Sequence, residues 1–252
     1  MRRNRALATI RGGGCTAGPG MVGGSPDVAE MFAQAGFEWA WMDWQHGQWT
    51  ESTVNDAIAR FLATATAPIV RVRGQEPGTI NRVLDMGAMG VIVPMVQNAD
   101  EARRVAEVCY YPPVGVRSGG GMRLGFIGGD DNYFDCANDE IMVIVMVETE
   151  EAIANVTEIM QVPTVDAVLI GPGDLMIDVK ANGHDEAHHE ELVVRVAEAG
   201  KETGTAAGYV CMSREQLVQR RDQGFRLLMH GYDSVMLKAG LAAVQGDVEE
   251  LL

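Results

Sequence analysis

Short apolar runs alternate with amphipathic stretches along almost the whole chain. Eight runs are strand-sized: residues 20–23, 39–42, 68–72, 90–93, 142–147, 166–170, 205–209 and 225–229. The run at 142–147 is apolar throughout, as a parallel strand buried on both faces requires. Between the runs, residues 27–35, 52–63, 79–86, 100–108, 150–160, 186–202 and 213–222 carry apolar side chains at helical spacing, such as Val83 with Met86 and Val105 with Val108. A last helix is predicted from Asp233 onward. Ser25 before Pro26, Asn98 and Ser213 predict helix N-caps. Gly36, Gly87 and Gly224 stand where a left-handed C-cap would end a helix before the next strand. Eight such units predict one (β/α)₈ TIM barrel spanning residues 1–252. A doubly wound open sheet is the alternative, but no GxGxxG follows the first strand. Residues 110–140, which include a Gly-rich loop at 117–129, break the rhythm; a loop this long is usually functional or part of an interface.

The 252 residues suit a single barrel, and 47% hydrophobic against 22% charged residues allow a large core and argue against disorder. No apolar run approaches the ~20 residues of a membrane span. The net charge of −15 argues against nucleic acid or an anionic membrane as partner. A small anionic substrate stays possible, because a local cation reverses the field within one pocket. Cys15, Cys109, Cys136 and Cys211 are scattered without a CxxC pair, which predicts reduced thiols and a cytoplasmic location. The basic start MRRNRALATIRGGG lacks serine, and a short helix is expected there rather than a targeting segment; no secretory apolar region is present.

Ligands of α/β sheets and barrels bind at the C-terminal ends of the strands, so the residues standing there matter most. They are Asp43, Trp44, Gln45 and His46 after the second strand, Arg71 at the third, Glu148 at the fifth, Asp174 past the sixth and His230 at the eighth. Glu148 and Asp174, on consecutive strands, form an oxygen-only pair suited to Mg²⁺, Mn²⁺ or Co²⁺; singly, each could be a helix N-cap. His46, three residues after Asp43, has the spacing of an acid–base dyad in which the carboxylate holds one ring nitrogen; a structural turn histidine is the alternative. Arg71 can stabilise an oxyanion or form an ion pair at the barrel mouth. All four tryptophans crowd this region, where packing or a subunit contact is the preferred role and pocket lining by Trp44 or Trp49 the other. His184 and His188 have i, i+4 spacing, with His189 adjacent; an exposed helix start is preferred to a zinc site. No lysine stands at these strand ends, which disfavours a Schiff-base mechanism.

The phrases Asp43-x-x-His46-Gly47, PIVRV, LDMGAMGVIVPMV, YPPVGVR, VETEEAIANV and DAVLIGPGDL, in this order, resemble the HpcH/HpaI family of metal-dependent class II pyruvate aldolases. The resemblance covers nearly the whole chain. It implies a (β/α)₈ barrel of the phosphoenolpyruvate/pyruvate type and reversible cleavage of a 4-hydroxy-2-oxo acid into pyruvate and an aldehyde through an enolate. It also implies a homo-oligomer, trimer or hexamer, that exchanges C-terminal helices between subunits. By motif, Glu148 and Asp174 hold the metal, Arg71 holds the C2 oxygen, and His46 with Asp43 acts on the C4 hydroxyl through water. The backbone at Gly173 and Asp174 takes the substrate carboxylate, and Asp85 lies near a neighbouring subunit's site. Gln45 stands beside the dyad where the family usually has an acid, and is placed against the substrate. Met146 replaces the usual Gln two residues before Glu148, and RSGGG from Arg117 departs from the usual Arg-Gly. Oxaloacetate decarboxylation, other enolate chemistry or a weakly catalytic oxo-acid binder are the alternatives, with a CoA-ester lyase behind them for want of a basic nucleotide patch.

Overall fold

A computed structural model describes residues 2–127 and 132–252; residues 128–131, at the end of the Gly-rich loop, lie outside it. Eight parallel strands close a barrel in chain order: β1 (Thr16–Met21), β2 (Trp39–Asp43), β3 (Ala67–Arg71), β4 (Gly90–Val93), β5 (Met142–Val147), β6 (Ala167–Ile170), β7 (Ala206–Cys211) and β8 (Leu227–Tyr232). Strand residues alternate between two cores, because successive side chains point to opposite faces. Trp39, Trp41, Ile69, Ile92, Ile144, Met146 and Leu169 fill the interior. Met42, Val70, Val91, Val145 and Val168 face the surrounding helices.

The predicted first strand, residues 20–23, lies too late in the chain; the observed one begins at Thr16. Its sequence TAGPGM has little apolar signal, for a packing reason. A Cβ on Gly18 would lie 2.7 Å from the Trp39 indole, and one on Gly20 would strike Trp41 Nε1 and come within 2.9 Å of Tyr232. Two large indoles fill the barrel where β1 supplies almost nothing.

Helix ends follow the sequence signals. Ser25 accepts from the Val28 amide, Asn98 from Glu101 and Ser213 from Gln216, while Gly36, Gly87 and Gly224 adopt φ of +86°, +99° and +108°. The expected N-terminal helix is present as Arg5–Arg11, whose Leu7 and Ile10 join the interior core. The 150–160 stretch is two helices, Glu150–Ala154 and Val156–Met160, and a helix at Pro172–Ala181 was not anticipated. Within 110–140, helices Leu124–Ile127 and Tyr133–Glu140 form a small core with Tyr111, beside a buried Arg117. The C-terminal helix Asp233–Leu251 is tied at its start, where Asp233 accepts from the Val22 and Gly23 amides at 2.9 Å each. Beyond that it presents Leu237, Leu241 and Val244 to solvent at 65%, 61% and 59% exposure. No helix among the described residues is long and apolar enough to cross a membrane.

Candidate active site

Alternation places the predicted residues. Asp43 shares a face with Trp39 and Trp41, Arg71 with Ala67 and Ile69, and Glu148 with Ile144 and Met146, so all three point inward at the C-terminal mouth. Asp43 and Arg71 are register partners on adjacent strands. The carboxylate takes the guanidinium in bidentate fashion, Arg71 Nε donating to Oδ1 at 2.9 Å and Nη2 to Oδ2. Both are buried, and the guanidinium lies over the Trp41 ring, 5.2 Å from its centroid. Its remaining nitrogen, Nη1, faces Met146 Sδ at 3.8 Å, where a glutamine would give a stronger acceptor.

This pairing corrects the expected Asp43–His46 dyad geometry. Asp43 receives the backbone amide of His46 at 3.0 Å, and no hydrogen bond joins its carboxylate to the imidazole among the described residues. Asp43 thus orients Arg71 and shapes the turn; the His46 ring stands exposed at the rim. Beside it, Gln45 Oε1 and Trp44 Nε1 are buried without a hydrogen-bond partner among the described residues. Trp49 Nε1 donates to the Met21 carbonyl at 3.0 Å, and all four tryptophans are buried, as a packing role requires. Arg73 stacks on Trp44 at 4.7 Å from the ring centroid.

Glu148 is 1% exposed. Its Oε2 accepts the Met95 amide at 2.9 Å, and Met95 reaches it with φ of 57°, an uncommon conformation for a non-glycine residue. Burial pushes the Glu148 carboxyl above its ordinary range; the Met95 hydrogen bond opposes this, the neighbouring Asp174 carboxylate adds to it, and Arg71 counters it. Gly171 makes room for the group: a Cβ there would lie 2.8 Å from Glu148 Cγ and 2.9 Å from Cδ, and nearer still to Oε1. Asp174 stands exposed in the first turn of the helix Pro172–Ala181, whose leading N–H groups have no intrahelical acceptors. An oxygen-only pair, one member buried in a glycine cradle and burdened by a like charge, fits a hard dication.

Not every expected residue arrives here. Asp85 ends the helix that returns from β3 to the start of β4, so within one chain it lies at the opposite rim. There it faces the buried Arg117 at 3.5 Å. His230 is at the mouth, its Nδ1 3.3 Å from the Cys211 carbonyl. The 184–189 segment is more than an exposed helix start. His184 Nδ1 meets Glu150 Oε1 at 2.9 Å and His188 Nε2 meets Oε2 at 3.4 Å, giving a His/His/Glu cluster capable of holding a divalent ion.

Sequence reading missed Met95, Gly171 and Glu150. Gly171 had a signal in the GPGD phrase itself; Met95 and Glu150 had none, because their roles depend on chain brought in from elsewhere.

The sequence profile of the HpcH/HpaI aldolase/citrate lyase family matches residues 21–239. The 4-hydroxy-2-oxo-heptane-1,7-dioate aldolase of Salmonella heidelberg (strain SL476) is 34% identical over 224 residues, 86% of this chain and 83% of that protein. The Escherichia coli (strain SE11) enzyme of the same name is 34% identical over 86% of this chain and 84% of its own. A crystal structure of an HpcH/HpaI aldolase/citrate lyase family protein from Burkholderia cenocepacia J2315 superposes with a TM-score of 0.89 at 30% identity, covering 96% of this chain and 98% of that one. The chain therefore belongs to the HpcH/HpaI aldolase/citrate lyase family, and is an enzyme of the lyase class.

Proposed function

We propose that the protein is a divalent-metal-dependent aldolase that reversibly cleaves a 4-hydroxy-2-oxo acid into pyruvate and an aldehyde. One observation carries the reading: the buried Glu148 meets Asp174 at the barrel mouth where Arg71 also points inward. A dication held by these two carboxylates supplies Lewis-acid chemistry toward the 2-oxo group. Arg71, fixed by Asp43, offers a rigid donor to the C2 oxygen as negative charge gathers on it. The free N–H groups of Gly173 and Asp174, at a positive helix end, receive the substrate carboxylate.

His46 accepts the C4 hydroxyl proton through water; the C4 carbonyl forms as the C3–C4 bond breaks. The electron pair of that bond becomes the C2–C3 double bond of the pyruvate enolate, and a proton returned to C3 gives pyruvate. The orphaned acceptor Gln45 Oε1 suits a hydroxyl of the aldehyde half. Purified protein should release pyruvate from 4-hydroxy-2-oxo acids with Mg²⁺, Mn²⁺ or Co²⁺ and stop when EDTA removes the ion. No pyruvate from a broad panel of such acids with all three ions would defeat the reading.

Decarboxylation of oxaloacetate would need the same cation and no C4 base. It is favoured as a second reaction by the His46 ring, which Asp43 does not orient. His46→Ala should abolish aldol cleavage and spare decarboxylation; equal loss of both would remove this second activity.

The assembly is proposed as a homo-oligomer, trimer or hexamer, with the helix Asp233–Leu251 packed against another subunit. Its exposed leucines and valines, and the position of Asp85 far from its own mouth, support this. Light scattering giving a monomer would contradict it. A cytoplasmic location goes with this reading.

A further inference from the structure

The structure assigns a second cation site, at Glu150, His184 and His188, with a preference for nitrogen-binding transition ions such as Zn²⁺. The ligand set comes from two segments far apart in the chain: Glu150 opens the helix Glu150–Ala154, and the histidines flank the start of the helix Glu186–Thr203. The ligand atoms all lie within 4.8 Å of one another. Tetrahedral ligands about 2.0–2.1 Å from one ion sit about 3.4 Å apart. The contacts of 2.9 Å and 3.4 Å run to the two different Glu150 oxygens, Oε1 facing His184 and Oε2 facing His188, so an ion held by one of them draws the three ligand atoms in from their spread of up to 4.8 Å.

A carboxylate also lies beyond the far ring nitrogen of one histidine. Ligating histidines are commonly oriented by a carboxylate on the far ring nitrogen. His188 presents Nε2 to Glu150 while its Nδ1 faces Glu191 Oε2 at 3.6 Å. Asn182 Nδ2 approaches Glu150 Oε1 at 3.4 Å, and the Glu150 amide is fixed by Asp178 at 2.8 Å. All three ligands are accessible from solvent, so an ion can enter and water can complete the shell.

The chemistry separates this site from Glu148 and Asp174. Two imidazoles and one carboxylate favour Zn²⁺, Ni²⁺ or Cu²⁺, whereas Mg²⁺ prefers oxygen and keeps its water. An ion here clamps the loop before Glu186 to the first turn after β5, two residues beyond Glu148. It contributes stability by binding only the folded chain.

The test uses EDTA-stripped full-length protein and Zn²⁺ as the probe, with calorimetry, thermal melts and the visible absorption of tetrahedral Co²⁺. The variants are His184→Asn/His188→Asn and Glu148→Gln/Asp174→Asn. Zn²⁺ should bind and raise Tm in the Glu148/Asp174 variant, with excess Mg²⁺ leaving that binding in place. The His184/His188 variant should lose one equivalent of Zn²⁺ and the tetrahedral Co²⁺ signal. Unchanged Zn²⁺ stoichiometry in the His184/His188 variant would overturn it, as would a Glu148/Asp174 variant that binds none. This outcome is separable from the aldolase reading, whose failure would appear in pyruvate release alone. The histidine side chains are 46% and 31% exposed, so their replacement leaves the core intact.

Discussion

Gly171→Ala and Gly173→Ala add the same methyl group to one GPGD phrase, and only the first should have a consequence. At Gly171 the backbone, with φ −90° and ψ 91°, is open to any L-residue, so the effect is one of space alone. The new carbon would lie 2.8 Å and 2.9 Å from Glu148 Cγ and Cδ, closer than real carbon contacts allow. Glu148 is 1% exposed and held through the Met95 amide, so the carboxylate can yield only by giving up that hydrogen bond or its place opposite Asp174. Overpacking of this kind costs about 1–3 kcal/mol. A displacement near 1 Å of a positioning group costs about 100-fold in turnover. A Cβ on Gly173 meets nothing within 4 Å, and its variant should unfold at the wild-type urea midpoint and bind the cation normally. Urea denaturation, Mn²⁺ calorimetry and pyruvate release would be measured on all three proteins. Wild-type midpoint and cation affinity in Gly171→Ala would refute the cradle and, with it, the placement of the ion on Glu148.

Other outcomes follow from the same geometry. Asp43→Ala leaves the Arg71 guanidinium buried without its partner, and should lower unfolding free energy by about 3–5 kcal/mol and reduce kcat. Glu148→Gln keeps an acceptor for the Met95 amide and removes a buried charge beside Asp174; it should abolish cation-dependent pyruvate release while the EDTA-treated protein melts at or above the wild-type temperature. Because burial raises the Glu148 carboxyl, its protonated form is the one the fold favours. Its contribution to metal-free stability is present below the ordinary glutamate range and fades as pH rises through the raised value. The stability of Glu148→Gln relative to wild type, both with EDTA, should therefore grow over that rise, and cation affinity of the wild type should weaken on acidification; a pH-independent difference would contradict this.

Much of the fold is legible in the chain. The apolar runs at 90–93 and 142–147 coincide with strands β4 and β5. Caps at Ser25, Asn98 and Ser213 and glycine stops at Gly36, Gly87 and Gly224 act within a few residues, so their physics is local. The helix at Pro172–Ala181 escaped because its sequence, PGDLMIDVKA, begins as a loop phrase and shows a weak amphipathic period. Glu148 and Arg71 were visible because a strand end announces where a charge will stand. The partner each one takes was hidden. Asp43 has His46 three residues away, yet binds Arg71 across the sheet.

The chain by itself determined the order of strands and helices, the barrel class and the collection of charges at one rim. These follow from periodicity, capping and the family motifs. Tertiary structure decided which charges meet. Strand pairing sets β2 against β3 in a register that pairs Asp43 with Arg71. It also sets Val147 beside Ile170, so that the next residues, Glu148 and Gly171, share one space. The Glu150–His184–His188 cluster likewise exists only when the loop before Glu186 folds back onto the start of the helix after β5. Hydrophobic pattern fixes which face a side chain takes, whereas register and loop return fix its neighbour, and chemistry depends on the neighbour.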